Sequence, residues 1–180
     1  KNKTIQPSSL LETDCLKLLD GFSDKTVTFD RVDTLLKRGT AMAVALEKWN
    51  RCNIWVISRA DKEYPERLKK QLGHNSPPIL YGCGNKALLN KGGVGVVGSR
   101  NVSEEDLIYT KQLGVKTANT GFSIVSGGAK GVDQAAMLSA LEVDGTVIGI
   151  LADSLFRACS SRQYRQYIMN NNLVLITPFY

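Results

Sequence analysis

Two glycine-bearing turns hold the residues whose types and spacing suit binding chemistry. Gly98-Ser99-Arg100 follows an apolar run at 94–97. Ser126-Gly127-Gly128-Ala129-Lys130-Gly131-Val132-Asp133 follows another at 122–125. Glycines carry no Cβ, so their backbone N–H groups approach a phosphate closely. The second turn feeds a helix that the pattern starts near Gly131, and free N–H groups at a helix start favour an anion. Lys130 adds a full positive charge there. Arg100 occupies the matching place in the neighbouring turn, with a fork that suits phosphate oxygens. The spacing therefore predicts one cleft in which Gly98, Ser99, Arg100, Ser126, Gly127, Gly128, Lys130 and Gly131 meet a phosphate. The plainer alternative is that the glycines only close tight turns and the two cations are solvated. Asp133 reads as a first-turn acid that favours the helix start, not as a base.

Other constellations carry less. Gly93, Gly95 and Gly98 spell G-x-G-x-x-G, but the expected strand lies inside the pattern instead of before it, so a dinucleotide fingerprint fails on context. The one histidine, His74, sits in the turn-like GHNSPP, which argues against Ser-His-Asp and Cys-His catalysis. Cys15, Cys52, Cys83 and Cys159 show no C-x-x-C spacing and read as reduced thiols, and a structural zinc site is not expected. The segment 160–167, SSRQYRQY, interleaves Arg162 and Arg165 with Tyr164 and Tyr167. It could grip a nucleic-acid backbone and stack bases. The simpler reading, which we favour, is a helix with its tyrosines inward and its arginines in water. Trp49 and Trp55 read as core.

Strands must precede the two turns and helices must follow them. The runs 94–99, 122–128, 146–153 and 173–179 are nearly unbroken and rich in Val and Ile. Such runs suit strands buried on both faces, as in a parallel sheet. Further strands are expected at 54–58 and, led by prolines, at 76–84. Helices are expected at 64–72, 103–119, 131–143 and 160–171. Strand and helix alternating at these lengths predict an α/β fold: a Rossmann-like, mostly parallel sheet with helices on both faces. In such sheets ligands bind outside the carboxyl ends of the strands, where both glycine turns lie. A small helical N-terminal region precedes it. Its expected helices run from Ser8 or Ser9 through Leu10, Leu11, Cys15, Leu18, Leu19 and Phe22, then between Asp30 and Gly39, then from Thr40 to about Trp49. The expected domains are residues 1–52 and 53–180.

Composition sets the outer bounds. The chain has 180 residues, 43% hydrophobic and 22% charged, which are globular proportions. No apolar run reaches the roughly 20 residues a spanning helix needs, and no export signal is visible. Lys1 in place of Met suggests a trimmed chain. Lys and Arg number 23 against 17 Asp and Glu, a net charge of +6. That permits a polyanionic partner without demanding one.

The motifs Tyr64-Pro65-Glu66-Arg67-Leu68, Pro77-Pro78-Ile79-Leu80-Tyr81-Gly82-Cys83-Gly84-Asn85, Val97-Gly98-Ser99-Arg100 and the run 126–136 (SGGAKGVDQAA) occur in that order. Together they resemble the DprA (Smf) family of bacterial DNA-processing proteins over about residues 53–180. The resemblance implies an extended Rossmann-like domain, in the cytoplasm, that binds single-stranded DNA without catalysis and needs no cofactor or metal. It implies protection of incoming strands in natural transformation, and loading of the RecA recombinase. Arg100 and Lys130 would lie in the DNA groove, with Ser99, Ser126, Gly127 and Gly128 lining a phosphate pocket. The chain departs from the family at Met137, where many members have His, and at Thr177-Pro178, where many have Ser-Glu. The family continues beyond the equivalent of Tyr180 with more sheet and dimer contacts, so a homodimer would form through sequence beyond residue 180. The alternatives are a related nucleoside-monophosphate phosphoribohydrolase of the LOG type, whose P-G-G-x-G-T-x-x-E motif does not occur before Tyr180, or a nucleotide-signal sensor.

Overall fold

Side chains of the central strands are buried on both faces of one six-stranded sheet. The structure, a computed structural model, describes residues 7–11, 17, 25–152 and 155–179. The strands are β1 (Ile54–Ser58), β2 (Ile79–Gly84), β3 (Gly93–Gly95), β4 (Ser123–Ser126), β5 (Val147–Ile150) and β6 (Leu173–Thr177), in the order β1-β2-β6-β5-β4-β3. β3, β4, β5 and β6 are parallel, while β2 runs antiparallel to both β1 and β6. The sheet is thus mostly parallel, as the alternation of elements predicts, with an antiparallel pair at one side.

The helices of this unit are α3 (Glu66–Leu72), α4 (Glu104–Asn119), α5 (Val132–Leu141), α6 (Leu155–Ser160) and α7 (Arg162–Met169). β3 to β6 follow one another across the sheet. Right-handed crossovers then put α4, α5, α6 and α7 on one face. There Ile124, Val147, Leu173 and Leu175 meet Ala136, Met137 and Ala140. The opposite face holds Ile148, Val174 and Ile176 under Leu88 and Leu89 of a short 3-10 turn, Lys86–Asn90. Beside it Ile57, Tyr64 and Leu80 pack with Leu68 of α3. Every residue of β6 is buried. Each of its large apolar side chains contributes about 1.5–3 kcal/mol relative to exposure.

The first glycine turn follows a different kind of strand. β3 is short and exposed, lying at the sheet edge, and Val97 is 84% exposed. The Val-rich run 94–99 suggests a strand buried on both faces, but an edge strand has a neighbour on one side only. The helix expected at 160–171 is α7, and a further helix, α6, precedes it where the pattern predicts no element. α6 begins at Leu155, and α7 starts afresh after Ser161.

The chain divides into two units, residues 1–48 and 49–180. In the first, a 3-10 turn spans Pro7–Leu11, and α1 (Phe29–Leu36) and α2 (Gly39–Arg51) follow, α2 running across the division. The Thr28 hydroxyl accepts from the Arg31 N–H and caps α1. Gly39 opens α2, where the sequence places it just past the preceding helix. Cys15, Leu18, Leu19 and Phe22 of the expected first helix lie outside the described residues.

Candidate functional site

The two glycine turns leave neighbouring parallel strands. Val94 of β3 pairs with Ile124 of β4, and Gly95 with Val125. Past the end of β3 the Val96 N–H still donates to the Val125 carbonyl at 2.9 Å, which carries the register into the turn. Their carboxyl ends share one rim of the sheet, the side on which α/β folds bind ligands.

Contacts between the turns explain their glycines. Gly131 caps α5 with φ +94°, and a Cβ there would run into the Ser99 carbonyl and the Arg100 Cα. Only glycine meets both conditions. A Cβ on Gly98 would lie 2.6 Å from Cβ of Val132. In this seating the Val132 N–H donates to the Ser99 carbonyl at 3.2 Å. Arg100 and Lys130 therefore sit on touching turns.

Asp133 ties the turns together. Its Oδ1 accepts from the Gly98 N–H and its Oδ2 from the Gly127 N–H, each at 3.1 Å, and the residue is 6% exposed. It does stand in the first turn of α5, but its carboxylate is spent on backbone amides of both turns. The N–H groups of Gly98, Gly127 and Val132 are consequently used inside the protein. This differs from the expectation that the helix start presents its own N–H groups to a ligand. The amides of Gly128, Ala129, Lys130 and Gly131 have no hydrogen-bond acceptor among the described residues.

A cleft of about 380 Å³ opens beside the turns, across the carboxyl ends of β4 and β5. Arg100, Gly127, Gly128 and Ala129 of the turns line it, with Leu151 and Ala152 after β5 and Arg157, Ser161 and Tyr164 of the segment that follows. Gln134 Nε2 donates to Gln163 Oε1 at 3.2 Å across it. Burial pushes the Tyr164 phenol up, opposed by a hydrogen bond with the Gln134 side chain.

Of the residues named from sequence, Arg100, Gly127 and Gly128 line this cleft. Lys130 is exposed on the adjoining turn. Ser99 is held locally: its Oγ donates to the Asn101 carbonyl at 2.8 Å and accepts from the Asn101 N–H at 3.1 Å. Ser126 is 4% exposed at the end of β4, and its Oγ has no partner among the described residues. Gly98 and Gly131 form the seam between the turns. Sequence reasoning did not single out Arg157, Gln134 or Gln163. Arg157 had a signal, since it follows the carboxyl end of β5. In α7, Tyr164 is buried, Tyr167 half-buried, and Arg162 and Arg165 exposed, as the simpler reading of that segment has it. Trp49 and Trp55 are half-buried. Trp49 meets Tyr81 edge-on at 5.2 Å, and Trp55 Nε1 donates to the Gly84 carbonyl at 3.0 Å.

Comparison with known proteins gives one consistent result. The model of the DNA recombination-mediator protein A family matches residues 55–180. The protein Smf of Synechocystis is 31% identical over 136 residues, covering 72% of this chain and 34% of the relative. The DNA processing protein DprA of Streptococcus pneumoniae is 34% identical over 121 residues, covering 66% of this chain and 42% of the relative. The chain thus spans less than half the length of these curated relatives. The crystal structure of DprA from Streptococcus pneumoniae superposes with a TM-score of 0.66 at 20% identity, over 93% of this chain and 57% of that one, a likeness of fold. DNA processing protein A from Helicobacter pylori, whose solved structure concerns its single-stranded DNA binding mode, gives 0.53 at 25% identity, over 70% and 55%.

Proposed function

Because the chain belongs to the DNA recombination-mediator protein A family, we propose that it binds single-stranded DNA by the phosphate backbone and catalyses no reaction on it. The observation that carries this reading is the cleft at the carboxyl ends of β4 and β5, lined by Arg100 and Arg157 together with Gly128 and Ala129, whose amides have no acceptor among the described residues. Amides and guanidinium groups are both donors to phosphate oxygens. Lys130 on the touching turn extends the positive surface along a strand. The bases are left to stack or face water, which gives weak sequence preference.

The use made of the acidic group supports the non-catalytic reading. A general base must reach a proton on the substrate. Asp133, the acid nearest the turns, is held by two amide hydrogen bonds. The biological role is DNA processing in natural transformation, with loading of the RecA recombinase, in the cytoplasm. The proposed layout is a helical region at 1–52 and a Rossmann-like domain at 53–180, with a homodimer formed through sequence beyond residue 180. Among the described residues no helix is long and apolar enough to cross a membrane.

A fluorescence titration with oligo-dT and with AMP at two salt concentrations tests the reading. Oligo-dT should bind, more weakly at the higher salt, because counterion release drives phosphate binding. AMP should not displace it. Saturable AMP binding that excludes oligo-dT would replace DNA by a nucleotide as the ligand.

A further inference from the structure

The cleft beside the glycine turns offers cations and amides but no accessible ring. The one aromatic side chain among its described lining residues, Tyr164, is 7% exposed. Proteins that hold single-stranded nucleic acid combine a basic groove with aromatic faces on which bases stack. An exposed ring stands directly beside the cleft, on α6. Leu155 and Cys159, one turn apart, are 6% and 9% exposed and fasten α6 to the apolar core. Successive residues of a helix point about 100° apart, so Ala158, Arg157 and Phe156 fan around the side that is left over. Ala158 and Arg157 line the cleft, and Phe156, 48% exposed, is the next side chain beyond them. The other exposed aromatic side chains described in this unit stand elsewhere: Tyr109 on α4, Phe122 at the amino end of β4, and Phe179 beyond β6.

We infer that Phe156 is a stacking platform for a base of the bound strand, next to the phosphate that Arg157 holds. The inference deepens the DNA reading and rests on it. A strand leaving the cleft over Arg157 passes the Phe156 ring on the shoulder of the same helix. Every base has a π-face, so one ring accepts any base and sequence preference stays weak. The Phe156 side chain carries no donor or acceptor, so it adds affinity without reading a base edge. A duplex keeps its bases stacked on one another inside, so the ring favours a single strand. The buried anchors Leu155 and Cys159 hold α6 in place before any strand arrives, which limits the ordering cost of binding. Two adjacent residues thus divide the work. Arg157 meets the backbone and contributes to the salt dependence, while Phe156 meets a base and does not.

The test is titration of the full chain with labelled oligo-dT and with a deoxyribose-phosphate strand of the same length that carries no bases. The wild type should bind oligo-dT about five-fold or more tightly than the baseless strand, because one stacked base contributes at least that much. Phe156→Ala should lose about the same factor for oligo-dT, bind the baseless strand as the wild type does, and keep the salt slope unchanged. Phe156→Trp should bind oligo-dT as the wild type does, and Phe122→Ala should leave binding where it was. Phe156→Leu keeps the apolar bulk without a π-face and gives the same readout if Phe156→Ala does not fold. Equal binding of the two strands by the wild type overturns the stacking role and leaves the phosphate site standing. So does an unchanged oligo-dT affinity in the Ala and Leu variants, or a loss that is the same for both strands. Failure of the wild type to bind either strand overturns the DNA reading itself.

Discussion

The most informative side chains at the site divide into those that build it and those that would meet a ligand. Asp133 builds it. Removing its carboxylate strands two amide donors and loosens both turns, and hydrogen bonds to a charged group are worth about 1.5–3 kcal/mol each. Asp133→Ala should lower stability by about 2 kcal/mol or more, seen as a lower denaturant midpoint with unchanged slope. Arg100 and Lys130 stand on the exposed side of the same seam, and no hydrogen bond of the turns depends on them. Changing both to Ala should weaken oligo-dT binding several-fold and leave thermal unfolding where it was. Neutralising one cation that meets a phosphate of a single strand lowers the slope of log K against log salt by about 0.7, so the pair should lower it by about 1.4. An unchanged affinity in the double variant would remove these two residues from the site.

At the level of elements, the break between α6 and α7 decides which arginines matter. The sequence assigns no element to 154–159, between the strand expected at 146–153 and the helix expected at 160–171. The additional helix, Leu155–Ser160, sets Arg157 over the carboxyl end of β5, while Arg162 at the start of α7 points to water outside the cleft. Arg157→Ala should therefore weaken oligo-dT binding and reduce the salt slope by about 0.7, and Arg162→Ala should change neither by more than long-range charge allows. Equal effects from the two would mean that net charge, not the cleft, governs binding. The strand elements were readable for the opposite reason. β6 lies within its run because a strand buried on both faces must be apolar on both, and β1 occupies Ile54–Ser58 as its apolar run predicts although it too is an edge strand, half-buried along most of its length. The run 94–99 has the same letters but an edge position, which no local pattern reports.

For the whole molecule, the sheet direction is what gives the site its character. Parallel strands β3, β4 and β5 bring turns to one rim, and among the described residues the carboxylate that joins these turns is the committed Asp133. The chain should therefore bind and not turn over nucleotides. Incubation with nucleoside monophosphates should release no free base above a blank. Steady release abolished by Asp133→Asn would assign catalysis to that carboxylate and overturn the binding reading.

The sequence by itself determined the class of fold, the succession of strands and helices after residue 53 apart from α6, and the two glycine turns at the ends of β3 and β4. Burial on both faces and glycine at close approaches are written in residue types, so they can be read without coordinates. Tertiary structure alone decided what those turns offer. Asp133 looks like any first-turn acid until β3 and β4 are placed side by side; only then does one carboxylate reach Gly98 and Gly127 together. The part that α6 takes in the cleft has the same origin. It depends on which distant segments the sheet order brings together, and contact across a sheet leaves no periodicity in the chain.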